Sequence, residues 1–333
     1  MKISRYLVAG LALAVSLASA TAAAAEAAAP KSAVDRPATA SAKAKKSLLI
    51  DIAKAGQRLV AVGDRGHILY SDNQGKDWTQ AKVPVSVMLT SVYFPNAQEG
   101  WAVGHNGVIL YSSDAGSNWQ LQHSDKTADS DKAGAPLLGV WFADNQNGYA
   151  VGAYGLFLAT HDGGTTWSDN SHAINNGDGW HLNAIRGLPG TSTAFIVGEH
   201  GILFRSSDKG ASWSSLSSPF DGSFFGVAPL APDLVLIYGL QGRLFASSDE
   251  GGHWQQVQTG VTSGLNSATR LDDGSVVVAG NAGVVLAAKD HGLNFIPETR
   301  PDRQSITAVV SLPGNSLLTA GDGGVKVLPA AGK

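Results

Sequence analysis

The sequence predicts an all-β protein, a seven-bladed β-propeller of four-stranded blades with Asp-box turns, and three columns of residues in fixed register predict it. A glycine that follows an apolar pair recurs at Gly63, Gly104, Gly152, Gly198, Gly239, Gly280 and Gly321, at separations of 41, 48, 46, 41, 41 and 41 residues. Three residues after each lies a second glycine, from Gly66 to Gly324. Fifteen residues after each of the first six lies an aromatic: Trp78, Trp119, Trp167, Trp213, Trp254 and Phe295. Units of this period bury one face against the next unit, so a 333-residue chain reads as one repeat-built object rather than two domains.

The chain opens outside that pattern. Lys2 and Arg5 precede an apolar run from Tyr6 to Leu17, and Ala18-Ser19-Ala20 forms an A-x-A cleavage site, so residues 1–20 read as a secretory signal. Residues 21–47 are Ala-rich, with Pro30, Pro37 and lysines at 43, 45 and 46, the composition of a linker or arm. The propeller is expected over 48–329. With no cysteine, the chain has neither disulfides nor a lipid-modified cysteine after the signal. No other stretch is long and apolar enough to span a bilayer. The expectation is an exported protein, periplasmic or secreted, that is not an integral membrane protein.

Each unit has its own physical logic. The first strand, as in LTSVYF (89–94), carries small residues two places in, at Ser91, Gly139, Ala184, Gly226, Ser267 and Ala308, where blades crowd around an axis. The apolar residue that heads each first strand is Leu48, Leu89, Leu137, Leu182, Phe224, Leu265 or Ile306. A second strand ends in glycine, and the paired glycines of V-G-x-x-G turn it into the third because glycine takes positive φ freely. Between third and fourth strands stands S/T-x-D-x-G-x-x-W, with Asp114, Asp162, Asp208 and Asp249 followed by Trp119, Trp167, Trp213 and Trp254. The unit before Trp78 has Asn73 in place of the acid, and the unit before Phe295 is degenerate. The carboxylate turns the backbone by accepting from N–H groups just beyond it, the glycine takes the left-handed corner, and the indole packs back between sheets. About forty residues separate successive carboxylates, so they belong to different blades and do not converge on a metal. No cofactor is expected.

The seventh unit stops after its third strand, and residues 31–46 are the segment expected to close it as an outermost strand. The rim formed by the second-to-third strand turns and the blade-to-blade connections is the expected functional face. Its candidates for partner binding are Arg65, His105, Tyr154, Trp180, His181, His200 and Gln241. His105 and His200 are expected at equivalent turn positions of blades two and four. Two insertions fall on this rim: residues 121–136, charged and expected to be mobile, and residues 169–181, which contain His172, Asp178, Trp180 and His181.

Charge and motif exclude some functions. Removing residues 1–20 takes the formal charge from −3 to −5, so nucleic acid is not the expected partner. A sialidase-like or other glycoside hydrolase would share the Asp boxes. It would need three arginines on one carboxylate together with an acid/base and a nucleophile, and the usual R-I-P arginine motif is absent. The run of V-G-x-x-G-x-[IL]-[LF]-x-[ST]-x-D-x-G-x-x-W over 48–328 resembles the photosystem II stability/assembly factor family. That resemblance implies a non-enzymatic scaffold that binds a protein or membrane-protein complex on the periplasmic or lumenal side. Members carry a basic patch, whereas Arg65, Arg186, Arg205, Arg243 and Arg270 lie on different blades here. An accessory of a membrane transporter is the alternative binding role.

Overall fold

In the computed structural model, which describes residues 32–125, 134–289 and 293–329, seven antiparallel sheets follow one another along the chain. The expected signal segment 1–20 lies outside the described residues, as does the charged centre of the first insertion. Six sheets have four strands in sequential order. Their inner strands are Leu49–Ala55, Leu89–Tyr93, Leu137–Phe142, Leu182–Gly187, Phe224–Ala231 and Leu265–Arg270 in blades one to six, and Ile306–Leu312 in blade seven. Each inner strand packs beside the next, and that of blade seven packs beside that of blade one, so the ring closes.

Blade one begins one residue later than its sequence column. Leu49, fully buried, pairs with Gly63, and Leu48 lies outside the strand. The shift matters because a β-bulge sits just inside the head of every inner strand, for example between Leu89 and Ser91. Counted from Leu49, the position that is Ser91, Gly139, Ala184, Gly226, Ser267 or Ala308 elsewhere is Asp51 in blade one. An acid therefore occupies a column otherwise kept small. The bulged residues themselves join blades. Thr90 donates to the Leu137 carbonyl (2.5 Å), Asn183 to Phe224 (2.8 Å), Asn266 to Ile306 (2.9 Å) and Thr307 to Leu49 (2.7 Å). The last of these crosses the seam between blades seven and one.

Of the paired glycines only the second, Gly66 to Gly324, takes the positive φ that the sequence predicts for the pair. Gly104 is extended at φ −174°, so no left-handed turn demands it. A Cβ there would meet the Met88 carbonyl oxygen at 2.2 Å, and the close approach of that strand head is what excludes a side chain. The left-handed conformation falls on the last two residues of the turn that follows, such as Asn106 and Gly107 (both φ 60°).

The Asp boxes form as expected. The Ser112 hydroxyl donates to Asp114 Oδ1 and accepts from the Gly116 amide, both at 2.9 Å, while Oδ1 also accepts the Asn118 amide at 2.9 Å. Asn73 repeats this geometry with its amide oxygen, accepting from Asp77 N at 2.9 Å. The indoles then pack between blades. Trp119 of blade two shares a buried cluster with Val60 and Val62 of blade one and meets Phe94 of its own blade edge-on at 6.0 Å, and Trp213 of blade four lies edge-on to Tyr149 and Phe157 of blade three.

The expected clasp takes another form. Among the described residues blade seven has three strands. Residues 33–46 hold two 3-10 turns, Ala33–Asp35 and Ala44–Lys46, and add no strand to that sheet. Their backbone bonds go instead to the blade one-to-two connection, through Ala38 N to Val83 O and Ser86 N to Ala33 O. Only at the far end does the arm reach blade seven, where Val325 N donates to Lys45 O at 3.1 Å. The compact unit holding the propeller accordingly begins at Ser32.

Candidate functional site

Each of the first six blades turns from second to third strand through a three-residue 3-10 turn, from Asp64–Gly66 to Asn281–Gly283. The middle residue is left-handed in all six: Arg65, Asn106, Tyr154, His200, Gln241 and Ala282 have φ between 50° and 60°. A non-glycine residue there costs on the order of 1 kcal/mol. Because all six blades share the conformation, it belongs to the architecture rather than to a local site. It also shows that His105 is the first residue of its turn and His200 the second of its own, so the two histidines are not equivalent. The structural counterpart of His105 is Glu199.

The turns of blades three and four and the connection between them come together. Tyr154 lies edge-on to His181 with centroids 5.1 Å apart, and Trp180 stacks on His200 at 3.8 Å with 29° between planes. Glu199 holds the loop end in place: its Oε2 accepts the His181 amide at 3.1 Å, and its Oε1 lies 3.7 Å from His181 Nδ1. The Glu199 amide in turn donates to the His181 carbonyl. Asn176 clamps Trp180 on both backbone sides, accepting its N–H at 3.1 Å and donating to its carbonyl at 2.8 Å. Trp180 is nevertheless 37% exposed and Tyr154 55% exposed. These are aromatic side chains fixed by their surroundings yet open to solvent.

Four of the seven expected rim residues, Tyr154, Trp180, His181 and His200, thus form one cluster. Arg65 is paired with Asp64 at 3.3 Å on blade one, and no hydrogen bond or ring contact among the described residues joins Arg65, His105 or Gln241 to the cluster. Asn176 is the member that sequence reasoning missed. The Asn-Gly-Asp-Gly run at 176–179 was its available signal, since such residues favour tight side-chain-to-backbone turns. Among the described residues no three His, Asp or Glu side chains gather as a metal site, and no helix is long and apolar enough to cross a membrane.

A second feature lies on the axis. The inner strands enclose a cavity of about 610 Å³ lined by Asp51, Arg186, Asn183, Asn266 and Tyr238, among others. Asp51 Oδ2 accepts from the Ser91 hydroxyl and the Val92 amide, each at 3.0 Å, and Arg186 Nη2 reaches it at 3.3 Å. Asp51 Oδ1 accepts from Ile52 N at 2.9 Å. Arg186 also donates to the carbonyls of Ile185 and Val140. Burial raises the Tyr238 phenol well above its ordinary value, so it stays neutral in the wall. Arg186 is the one arginine among the lining residues, where a sialidase would need three.

Residues 40–131 and 129–325 match the family model described as photosynthesis system II assembly factor YCF48. Among solved structures, the chain is similar to YCF48 bound to D1 peptide, with 15% identity and a TM-score of 0.67, covering 86% of this chain and 94% of that one. It is similar to YCF48 from Cyanidioschyzon merolae, with 16% identity and a TM-score of 0.63, covering 86% and 97%. A streptogramin B lyase shares the architecture at 12% identity, with a TM-score of 0.70 and coverage of 86% and 94%. At such identities these structures speak to the fold alone. No curated protein matches the chain.

Proposed function

The chain belongs to the family of the photosystem II assembly factor YCF48, and from that membership we propose that it is an exported, non-enzymatic assembly factor or scaffold. In this reading it docks a protein segment on the turn face of blades three and four. The observation that carries the reading is the fixed yet open aromatic cluster of Tyr154, Trp180, His181 and His200. Binding surfaces concentrate their free energy in a few aromatic anchors held rigid before the partner arrives, because little side-chain entropy is then lost on association. A related propeller solved with a D1 peptide supports a protein ligand. The membrane complex the partner belongs to need not be photosynthetic. A transporter accessory would use the same face.

A binding role is favoured over a catalytic one by the axial cavity. Its carboxylate, Asp51, has both oxygens engaged by Ile52, Ser91, Val92 and Arg186, which leaves it poorly placed to exchange protons with a substrate. Export is supported by the basic, apolar and A-x-A sequence of the first twenty residues.

The test is recovery of partners from the native envelope with a tagged full chain. Tyr154→Ala/Trp180→Ala is expected to lose a membrane-complex protein that the wild type retains. Unchanged recovery would overturn the proposed face. Mass analysis of the exported chain is expected to show an N-terminus at Thr21 or within the following alanines.

A further inference from the structure

Five large apolar side chains are exposed among the described residues: Tyr154, Trp180, Leu240, Ile296 and Val327. Three of these fall on one sector of the turn face. Backbone bonds tie that sector together, with Glu199 N donating to His181 O, Gly201 N to Gly222 O and Leu240 N to Ser223 O. Tyr154 at 55%, Trp180 at 37% and Leu240 at 41% exposure therefore stand on consecutive blades joined through two loops.

The charge of this sector has one sign. No lysine or arginine occurs from Ala153 through Ile185, in the turns 199–201 and 240–242, or in the connection 216–223. The same segments bring Asp178 and Asp221, both exposed, and Glu199. Arg243, which follows the last turn, is half-buried and folded over the Phe220 ring at 5.7 Å. Apolar anchors that share their loops with carboxylates disfavour an anionic lipid surface or a nucleic acid and attract a cationic chain, because rim charges set encounter rate and partner choice.

We infer that the segment received by this sector is a basic protein segment, with lysine or arginine flanking apolar residues that cover Tyr154, Trp180 and Leu240. This rests on the docking reading above and goes beyond it in stating the partner's chemistry.

Two peptide libraries test it against the full exported chain. One mixes lysine with phenylalanine and leucine, and in the other glutamate replaces lysine. The wild type is expected to retain the lysine library and lose most of it in about 0.5 M salt, where screening acts within a few ångströms. Asp178→Lys/Asp221→Lys changes only exposed side chains. It is expected to bind the lysine library roughly tenfold more weakly and to favour the glutamate library. Equal or better retention of the glutamate library by the wild type overturns the charge inference and leaves the docking face standing. Failure to retain the lysine library also overturns it. In that case, partner recovery with Tyr154→Ala/Trp180→Ala decides separately whether the docking reading falls too.

Discussion

Arg186 of blade four reaches across the axis to Asp51 of blade one, 135 residues away in sequence, with 3.3 Å between Nη2 and Oδ2. The same oxygen holds the Ser91 hydroxyl and the Val92 amide of blade two. One carboxylate therefore fastens three blades, at a position that is small in every other blade.

Replacing Asp51 should cost more than its modest exposure suggests. Asp51→Ala leaves the Val92 N–H without its acceptor and removes the counter-ion of Arg186, which keeps only the Ile185 and Val140 carbonyls. The expected loss is about 1–3 kcal/mol, discounted from a fully buried pair because the Arg186 side chain is 29% exposed. Asp51→Asn retains an oxygen for Val92 and should lose less. Urea unfolding measures both, and equal stability of Asp51→Ala and wild type would contradict the fastening role.

Thr307 closes the ring by donating to the Leu49 carbonyl. Thr307→Val preserves shape and removes that donor, at an expected cost of about 1 kcal/mol. Thr90→Val removes an equivalent bond inside the ring. Amide exchange should speed up at the seam of blades one and seven for Thr307→Val, and only between blades two and three for Thr90→Val. Identical exchange patterns in the two variants would show that the seam has no special weakness.

The ring itself was legible because glycines and tryptophans stand in columns whose causes are local to one blade. The number of blades, their order and the Asp-box bonds follow from that. The reason for the first glycine was misread, since the sequence cannot distinguish a left-handed residue from one crowded by a neighbouring carbonyl. The sequence hides the Asp51–Arg186 pair through the one-residue offset of blade one: two places from Leu48 stands Ile50, whereas two places from the true strand head, Leu49, stands Asp51. The rim cluster was half legible. Turn positions can be counted from the glycines, but which turns carry partners depends on loop 169–181 folding back through Asn176, a tertiary fact. The clasp expected of residues 31–46 does not form as a strand among the described residues, since the arm's backbone groups pair with Val83 and Ser86 of the blade one-to-two connection.

Acid should loosen the Asp boxes in a defined window. The backbone and side-chain bonds from Thr166, with Thr160, hold Asp162 down to about 2 against an ordinary 3.8. Asp208 is lowered chiefly by Ser212, and Asp249 is lowered strongly, chiefly by His253. At Asp114 burial opposes the shift, and the bonds from Asn118, Ser112 and Ser117 outweigh it. A depressed carboxylate contributes stability that is full above its unfolded value and lost as pH falls through the folded one. Stability should therefore decline as pH drops from about 4 towards 2. Asp162→Asn, which retains an acceptor like that of Asn73, should flatten that decline. A melting temperature independent of pH across the window would refute the linkage.

The Asp-box tryptophans look alike in sequence but should respond differently to substitution. Trp119 Nε1 donates to the Gly116 carbonyl at 2.9 Å in a buried setting, and Trp78 and Trp213 make the same bond to Gly75 and Gly210 at 3.0 Å. The buried indole N–H groups of Trp167 and Trp254 find no such acceptor. Phenylalanine keeps much of the apolar contact while deleting the N–H. Trp119→Phe thus loses a hydrogen bond and leaves the Gly116 carbonyl unpaired, for an expected extra cost of about 1 kcal/mol over the packing change. Trp167→Phe removes a donor that was already without a partner, so relief of that burden offsets part of the lost contact with Phe142. Chemical denaturation of the two variants should rank Trp119→Phe as the less stable by about 1–2 kcal/mol. The reverse order would mean that the Trp167 and Trp254 indoles are satisfied by ordered water rather than stranded.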